Sequence, residues 1–266
     1  MNFIGIIPAR YESSRFPGKP LCDILGKPMV ARVYESVMEW RKWKQVFVAT
    51  DSELIEDKCK EFSIPTIMTS TEHVDCIDRA AEAASLLHNS SINGDRYIII
   101  QGDEPLFKVG TLDVDLSPTV VNFYTQVRDP SEIYDANAVK VVVSEKKKAI
   151  YFSRYTIPYH DEKTKRSDDE LIVYKQIGVY SFSYDKLQLY WSLKPSYLEK
   201  IEGIGLLRLL ENDVDIFMRY TSYDSISVDI PDDRQRIINL IKDSREKLGY
   251  SIDNNERVVK HGDRKP

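Results

Sequence analysis

Three fixed cations, Arg10, Arg15 and Lys19, fall within the run Ile7-Pro8-Ala9-Arg10-Tyr11-Glu12-Ser13-Ser14-Arg15-Phe16-Pro17-Gly18-Lys19-Pro20, directly after an apolar stretch. A loop of this kind at the end of a buried strand can hold a polyphosphate. Backbone N–H groups and cationic side chains then replace the stabilisation that water gives to the anion. Taken alone, the same residues also suit a solvated surface turn. Two aspartates bear on the choice. Asp103 follows the apolar run Tyr97–Ile100, and Asp229 follows Ser225–Val228. Mg²⁺ is usually held by one or two carboxylates, with phosphate oxygens and water completing its shell. Two aspartates from distant strands on one rim suit that preference. The competing reading has Asp229 capping the last helix, a task that Asp232 could perform beside Pro231. Together the loop and the carboxylates point to attack on a nucleotide phosphate, which needs charge neutralisation and alignment more than covalent help. No Ser/His/Asp or Cys/His constellation is evident, and no G-x-S-x-G surrounds Ser13 and Ser14, which read as phosphate-loop hydroxyls.

Such residues need a scaffold that brings distant segments to one edge. In the first half, strands at Phe3–Ile7, Gln45–Thr50, Pro65–Thr69 and Tyr97–Ile100 alternate with helices at Met29–Trp40, Ser52–Phe62 and Asp75–His88. Continuous apolar strands between helices imply a parallel sheet covered on both faces, with the ligand crevice beyond the carboxyl ends of the strands. Arg10, Asp51 and Gln101–Pro105 then share one rim. The second half is richer in strands: Ala138–Val143 and Ala149–Ser153 across a polar hairpin turn, Ile172–Phe182, Asp215–Tyr220 and Ser225–Val228. Helices are expected over Tyr197–Glu211 and Asp232–Leu248. Residues 1–250 read as one α/β domain with a β-rich insertion at about 137–182, and residues 251–266 as a mobile polar tail.

The composition excludes several classes. A net charge of −5 argues against a nucleic-acid binder, which is usually basic over a whole face. No apolar run approaches the roughly 20 residues that span a membrane, and the N-terminus lacks the pattern of a signal peptide. Cys22, Cys59 and Cys76 form neither a disulfide framework nor a C-x-x-C site, which suits a reducing, cytoplasmic setting. His73, His88, His160 and His261 are scattered, so a zinc centre is not expected.

Eight ordered blocks carry a resemblance. They are Pro8-Ala9-Arg10-x-x-Ser13-Ser14-Arg15-x-Pro17-Gly18-Lys19-Pro20-Leu21, Ala49-Thr50-Asp51, Gln101-Gly102-Asp103-Glu104-Pro105, Asn137–Val142 and Tyr151-Phe152-Ser153-Arg154-x-x-Ile157-Pro158. Tyr174-Lys175-x-x-Gly178-Val179-Tyr180, Leu198-Glu199-x-x-Glu202 and Val228-Asp229-x-Pro231-Asp232-Asp233 complete the series. Over about residues 3–245 the chain resembles the 3-deoxy-manno-octulosonate (Kdo) cytidylyltransferase, or CMP-Kdo synthetase, family, near its 8-amino-sugar branch. That resemblance implies a Rossmann-like, glycosyltransferase-A-like nucleotidyltransferase fold, a three-layer sandwich dimerising through the β-rich insertion. It implies CMP transfer from CTP to a 2-keto sugar acid, with Mg²⁺ and release of pyrophosphate. By position, Arg10 and Lys19 would hold the CTP phosphates with Arg15 assisting, and Asp103 and Asp229 would hold the metal. Pro8, Ala9, Arg79 and Gln101 would border the nucleotide. Arg154, Gln176, Tyr180, Glu199 and Glu202 would meet the acceptor, with Arg154 gripping its carboxylate in two places.

The departures from the family pattern gather on the acceptor side. A usual Ser-Gly-Thr-Glu/Asp-Arg segment reads Asp75-Cys76-Ile77-Asp78-Arg79, which puts an extra carboxylate where nucleotide contacts are expected. A usual His is Gln176. The usual Leu-Glu-x-x-Glu-x-Leu-Glu-Gln-Leu-Arg reads Leu198-Glu199-Lys200-Ile201-Glu202-Gly203-Ile204-Gly205-Leu206-Leu207-Arg208, with two glycines that each weaken a helix by about 1 kcal/mol. Lost polar contacts of this kind change discrimination between substrates. The expectation is the same reaction class with an altered acidic acceptor. The alternatives are a nucleotidylyltransferase for a different small acid, or a nucleotide-binding relative without turnover.

Overall fold

The computed structural model describes residues 1–13, 15–159, 172–247, 250–252 and 258–260. Strand β1 (Phe3–Ala9) runs parallel between β2 (Trp43–Thr50) and β4 (Arg96–Ile100), and β3 (Thr66–Met68) extends the edge beside β2. Beyond β4 the sheet continues through β8 (Tyr174–Phe182), β5 (Val120–Gln126) and β9 (Phe217–Tyr220). β8 is antiparallel to both neighbours, and β9 returns parallel to β5.

Alternation along the strands builds two cores. Ile7, Ile98 and Ile100 face α1 (Met29–Met38), α2 (Glu53–Glu61) and Ile237 of α7 (Pro231–Lys247). Ile4, Ile6, Tyr97 and Ile99 face α3 (Cys76–Asn89), α4 (Tyr184–Ser192) and α6 (Leu206–Leu210). Each fully buried Ile or Leu contributes about 1.5–3 kcal/mol, so the strands are held from both sides. In α3 the buried alanines Ala80, Ala81, Ala83 and Ala84 let the helix lie close against the sheet. The result is the expected three-layer α/β sandwich with a mostly parallel sheet. Among the described residues no helix is long and apolar enough to cross a membrane.

The stretch expected as a β-rich insertion, about 137–182, holds β8 and a hairpin of β6 (Lys140–Val143) and β7 (Ala149–Ser153), closed where the Ser144 N–H bonds to the Lys148 carbonyl at 2.8 Å. The hairpin joins the main sheet where Lys140 of β6 pairs with Lys175 of β8.

Several elements depart from the sequence reading. The single helix expected over Tyr197–Glu211 is two, α5 (Tyr197–Glu202) and α6, because Gly203 takes φ +63° and ends the first with its N–H on the Glu199 carbonyl. Ser225–Val228 is irregular rather than a strand; the Val228 N–H reaches sideways to the Asp103 carbonyl at 2.9 Å. Strand β5 and helix α4 were not foreseen. Within 251–266, β10 (Tyr250–Ile252) and β11 (Val258–Lys260) pair antiparallel where an aperiodic tail was expected. The rest of that tail, with Ser14, His160 and His261, lies outside the described residues.

Candidate active site

Gly18 shapes the basic loop. Its φ of +69° lets the chain turn back, and its N–H closes the loop on the Tyr11 carbonyl at 3.0 Å. Lys19 then opens a short 3₁₀ turn, Lys19–Leu21, with its side chain directed across the rim. Its ammonium lies 2.8 Å from Asp103 Oδ2 and 3.5 Å from Asp229 Oδ1. Arg15 reaches the same Asp229 oxygen at 2.9 Å. A single cation therefore bridges the two carboxylates that the sequence reading paired. Arg10 is exposed at the end of β1 and has no ion-pair partner among the described residues.

The carboxylates are held by the backbone beneath them. Gly102 crosses the Pro8 carbonyl so closely that a Cβ there would lie 2.5 Å from its oxygen. The loops after β1 and β4 are thus in contact, as at the crevice of an open α/β sheet. Asp103 accepts the Val228 N–H on its carbonyl, which brings the irregular segment before Asp229 to the same rim. Asp233, in the first turn of α7, accepts the N–H groups of Asp229 and Ile230 at 2.9 and 3.0 Å and fixes the backbone entering the helix, while the Asp229 carboxylate faces Arg15 and Lys19 and accepts from Ser227 Oγ.

A cleft of 360 Å³ opens beside this cluster, lined among others by Pro8, Ala9, Arg10, Arg79 and Gln101. Arg79 is buried and fixed by Asp51 at 2.6 Å and by Thr69 Oγ1 at 2.7 Å, so it braces the ends of β2 and β3. Gln101 donates to Cys76 Sγ at 3.1 Å, and burial raises that thiol well above its ordinary pKa. The carboxylate of Asp75 is turned into its own helix: Oδ1 accepts the Ile77 and Asp78 N–H groups, both at 2.8 Å, and Oδ2 accepts from the Tyr190 hydroxyl. Burial is the main cause of the raised pKa of Asp75.

A second cleft of 520 Å³ shares Arg15, Gln101, Asp103 and Asp229 with the first. Gln176 and Tyr180 line it from β8, together with Glu104 and Lys175. The Gln176 Nε2 is buried and has no hydrogen-bond partner among the described residues. Lys175 is held by Glu132 at 2.7 Å and Asp224 at 2.6 Å. Burial pushes the Glu104 carboxyl up to about 7, against hydrogen bonds from Ser225 and Tyr223 that favour its ionised form.

The other three residues expected to meet the acceptor lie away from both clefts, each engaged with neighbouring groups of the protein. Arg154 spends its guanidinium on the main-chain carbonyls of Glu202, Ala136 and Gly203 at 2.6, 2.8 and 3.1 Å. Glu199 is 5% exposed and binds Arg208 through both oxygens, at 2.6 and 2.8 Å. Glu202 welds α5 to the end of β7, accepting from Ser153 Oγ and the Arg154 N–H, each at 2.8 Å. None of the three lines either cleft.

A sequence model described as cytidylyltransferase matches residues 4–216. The 3-deoxy-manno-octulosonate cytidylyltransferase of Lawsonia intracellularis is 39% identical over 253 residues, 92% of this chain and 96% of that protein. The chain belongs to the cytidylyltransferase family. The enzyme of the same name from Geobacter sulfurreducens is 36% identical over 255 residues, 91% of this chain and all of that protein. Among solved structures, a CMP:2-keto-3-deoxy-manno-octonic acid synthetase complexed with CTP superposes with a TM-score of 0.79 at 33% identity, covering 92% of this chain and 100% of the other. HddC from Yersinia pseudotuberculosis, at TM-score 0.63 and 17% identity, covers 91% of this chain and shares its fold.

Sequence reasoning about this cytidylyltransferase missed the buried group formed by Arg208, Asp78, Glu199 and Tyr190. Arg208 is 1% exposed, binds Asp78 at 2.8 Å, and stacks 4.0 Å from the Tyr190 ring centroid. The signal was present: a buried arginine needs carboxylates, and Asp78 and Glu199 sit at inward positions of their helices.

Proposed function

We propose that the protein transfers CMP from CTP to the anomeric oxygen of a 2-keto-3-deoxy sugar acid, 3-deoxy-manno-octulosonate or a close analogue, and releases pyrophosphate. The observation that carries this reading is the Lys19 ammonium standing between Asp103 and Asp229 where two clefts meet. Two carboxylates that share a cation, with all-oxygen chemistry, suit a hard divalent ion such as Mg²⁺. Among the described residues no group of three or more His, Cys, Asp or Glu forms a cage, so remaining ligands would come from phosphate and water. Asp103 and Asp229 would hold the ion, which when bound neutralises phosphate charge and polarises the phosphoryl oxygens.

The chain's own groups do the positioning. The nucleoside lies in the first cleft against Pro8, Ala9, Gln101 and the first turn of α3. That helix terminus is already occupied by the Asp75 carboxylate, so it favours the neutral end of CTP rather than its phosphates. The triphosphate then points to Arg10, Arg15 and Lys19, whose charges stabilise the departing pyrophosphate. The acid enters the second cleft, where Gln176 Nε2 supplies an unspent donor and Tyr180 borders the sugar. An unsatisfied buried donor costs about 1–3 kcal/mol, which a bound oxygen recovers. In a 2-keto acid the carboxylate is attached to the anomeric carbon that bears the attacking oxygen, so it falls at the junction of the clefts beside Arg15. We also infer a homodimer joined through the insertion, and a cytoplasmic setting that suits the free thiols of Cys22, Cys59 and Cys76.

The test is pyrophosphate release from CTP with Mg²⁺ across a panel of sugar acids that includes 3-deoxy-manno-octulosonate and its 8-amino analogue. Release that requires both CTP and one of these acids is expected. CTP binding with no release for any acid in the panel would instead identify a nucleotide-binding relative without this activity.

A further inference from the structure

Asp75 and Gly205 are far apart in sequence and adjacent in space. A Cβ built on Gly205 would lie 2.5 Å from the Tyr190 hydroxyl and closer still to Asp75 Oδ2. No side chain fits at 205 while Asp75 is in place. Conversely, Asp75 Oδ2 occupies the space that a side chain at 205 would fill. The glycine thus makes room for the Asp75 carboxylate.

We infer that Asp75 and Gly205 are a reciprocal pair that positions the nucleotide wall: the Asp75 carboxylate, admitted by the missing side chain at 205, fixes the first turn of α3 against α4 through Tyr190. This deepens the proposed function, since it rests on CTP occupying the first cleft. The consequence for the site runs through Cys76 and Gln101. Both line that cleft, and Cys76 accepts from Gln101 Nε2 immediately after the residue that the pair holds. Asp75 Oδ1 keeps the helix cap while Oδ2 makes the cross-link, so the two tasks belong to different oxygens. Asp75 is thus a positioning residue. Arg208 lies over the Tyr190 ring and holds Asp78, so the α3, α4 and α6 walls converge on one buried contact.

The pair makes an unusual reciprocity testable. Asp75→Ser retains a capping oxygen for α3 and removes only the cross-link. Gly205→Glu inserts a second carboxylate against the first. The double variant restores one carboxylate to the pocket from the other side. By calorimetric titration of CTP into the full chain, each single variant is expected to weaken binding about tenfold, and the double variant to return within about threefold of the unmodified protein. Tyr190→Phe is expected to match Asp75→Ser. The melting temperature is read for each protein, so a Gly205→Glu chain that does not fold leaves the Asp75→Ser and Tyr190→Phe titrations to decide. Unchanged CTP affinity in those two variants, or a double variant as weak as the two singles combined, overturns the inference. An unmodified protein that does not bind CTP overturns the proposed function instead.

Discussion

At the scale of single residues, the site is a contest for charge. Lys19 and Arg15 neutralise Asp103 and Asp229, and under the proposed function those same four groups would meet the triphosphate and its metal. Removing one carboxylate should therefore affect chemistry far more than stability. Asp103 is one-quarter exposed, and asparagine has its shape, so Asp103→Asn is expected to melt within a few degrees of the unmodified protein. Its turnover should fall by more than about a hundredfold, as when other preorganised charge contacts are deleted. Steady-state pyrophosphate release alongside a melting curve checks both halves; near-normal turnover would remove Asp103 from the catalytic machinery. Cys59 offers a contrast away from the site. It is fully buried in α2, and burial pushes its thiol from about 9 up to about 12. At pH 8 only about one in ten thousand is thiolate, so Cys59 should stay unmodified by iodoacetamide in the folded protein and react on denaturation. The sign for stability follows: as pH rises above about 9 the unfolded thiol ionises while the folded one does not, so this group's contribution declines toward pH 12. Peptide mass spectrometry after labelling reads the first expectation directly.

At the scale of elements, the rim depends on two backbones touching. Gly102→Ala would drive a methyl group into the Pro8 carbonyl and part the carboxyl ends of β1 and β4. The expected cost is about 1–3 kcal/mol of stability, with a higher KM for CTP, measurable by denaturant unfolding and initial rates. Unaltered stability and KM would show that the loops have slack. How much of this was legible in the sequence depends on whether a segment's neighbours are local. Strands β1, β2 and β4 and helices α1 to α3 were readable, because continuous apolar runs alternate with helical spacing and each is buried on its own pattern. The break between α5 and α6 was hidden, since Leu198, Leu206 and Leu209 keep the spacing of one helix while Gly203 adopts a left-handed backbone. Ser225–Val228 has strand-like composition, but its backbone is taken by the turn at Asp103 rather than by a ladder. Arg10 and Asp103 were legible as neighbours because they follow β1 and β4, adjacent strands whose carboxyl ends meet at the rim, whereas Asp229 reaches that rim through an irregular segment held by the Asp103 carbonyl. The present partners of Arg154, Glu199 and Glu202 were not legible, because local sequence does not reveal them: the carbonyls of Ala136 and Gly203, the Arg208 guanidinium, and Ser153 with the Arg154 N–H.

At the scale of the whole molecule, one sheet gathers residues from both halves of the chain at the point where β1 and β4 diverge in connection. The β6–β7 hairpin and the segment after it expose Ile150, Tyr155 and Tyr159, an apolar surface of the kind that joins subunits. Sedimentation of the full chain is expected to give a dimer, and Ile150→Glu to shift it toward monomer; a monomeric unmodified protein would refute the assembly. The account's central claim is that the basic loop and the two aspartates converge on one metal-bound triphosphate. A crystal structure with CTP and Mn²⁺, with the anomalous signal of manganese mapped, tests it most directly. The expected result is a manganese peak between Asp103 and Asp229, with Lys19 turned from the carboxylates to the phosphates. A triphosphate bound away from Arg10 and Lys19, or manganese ligated by neither aspartate, would contradict it.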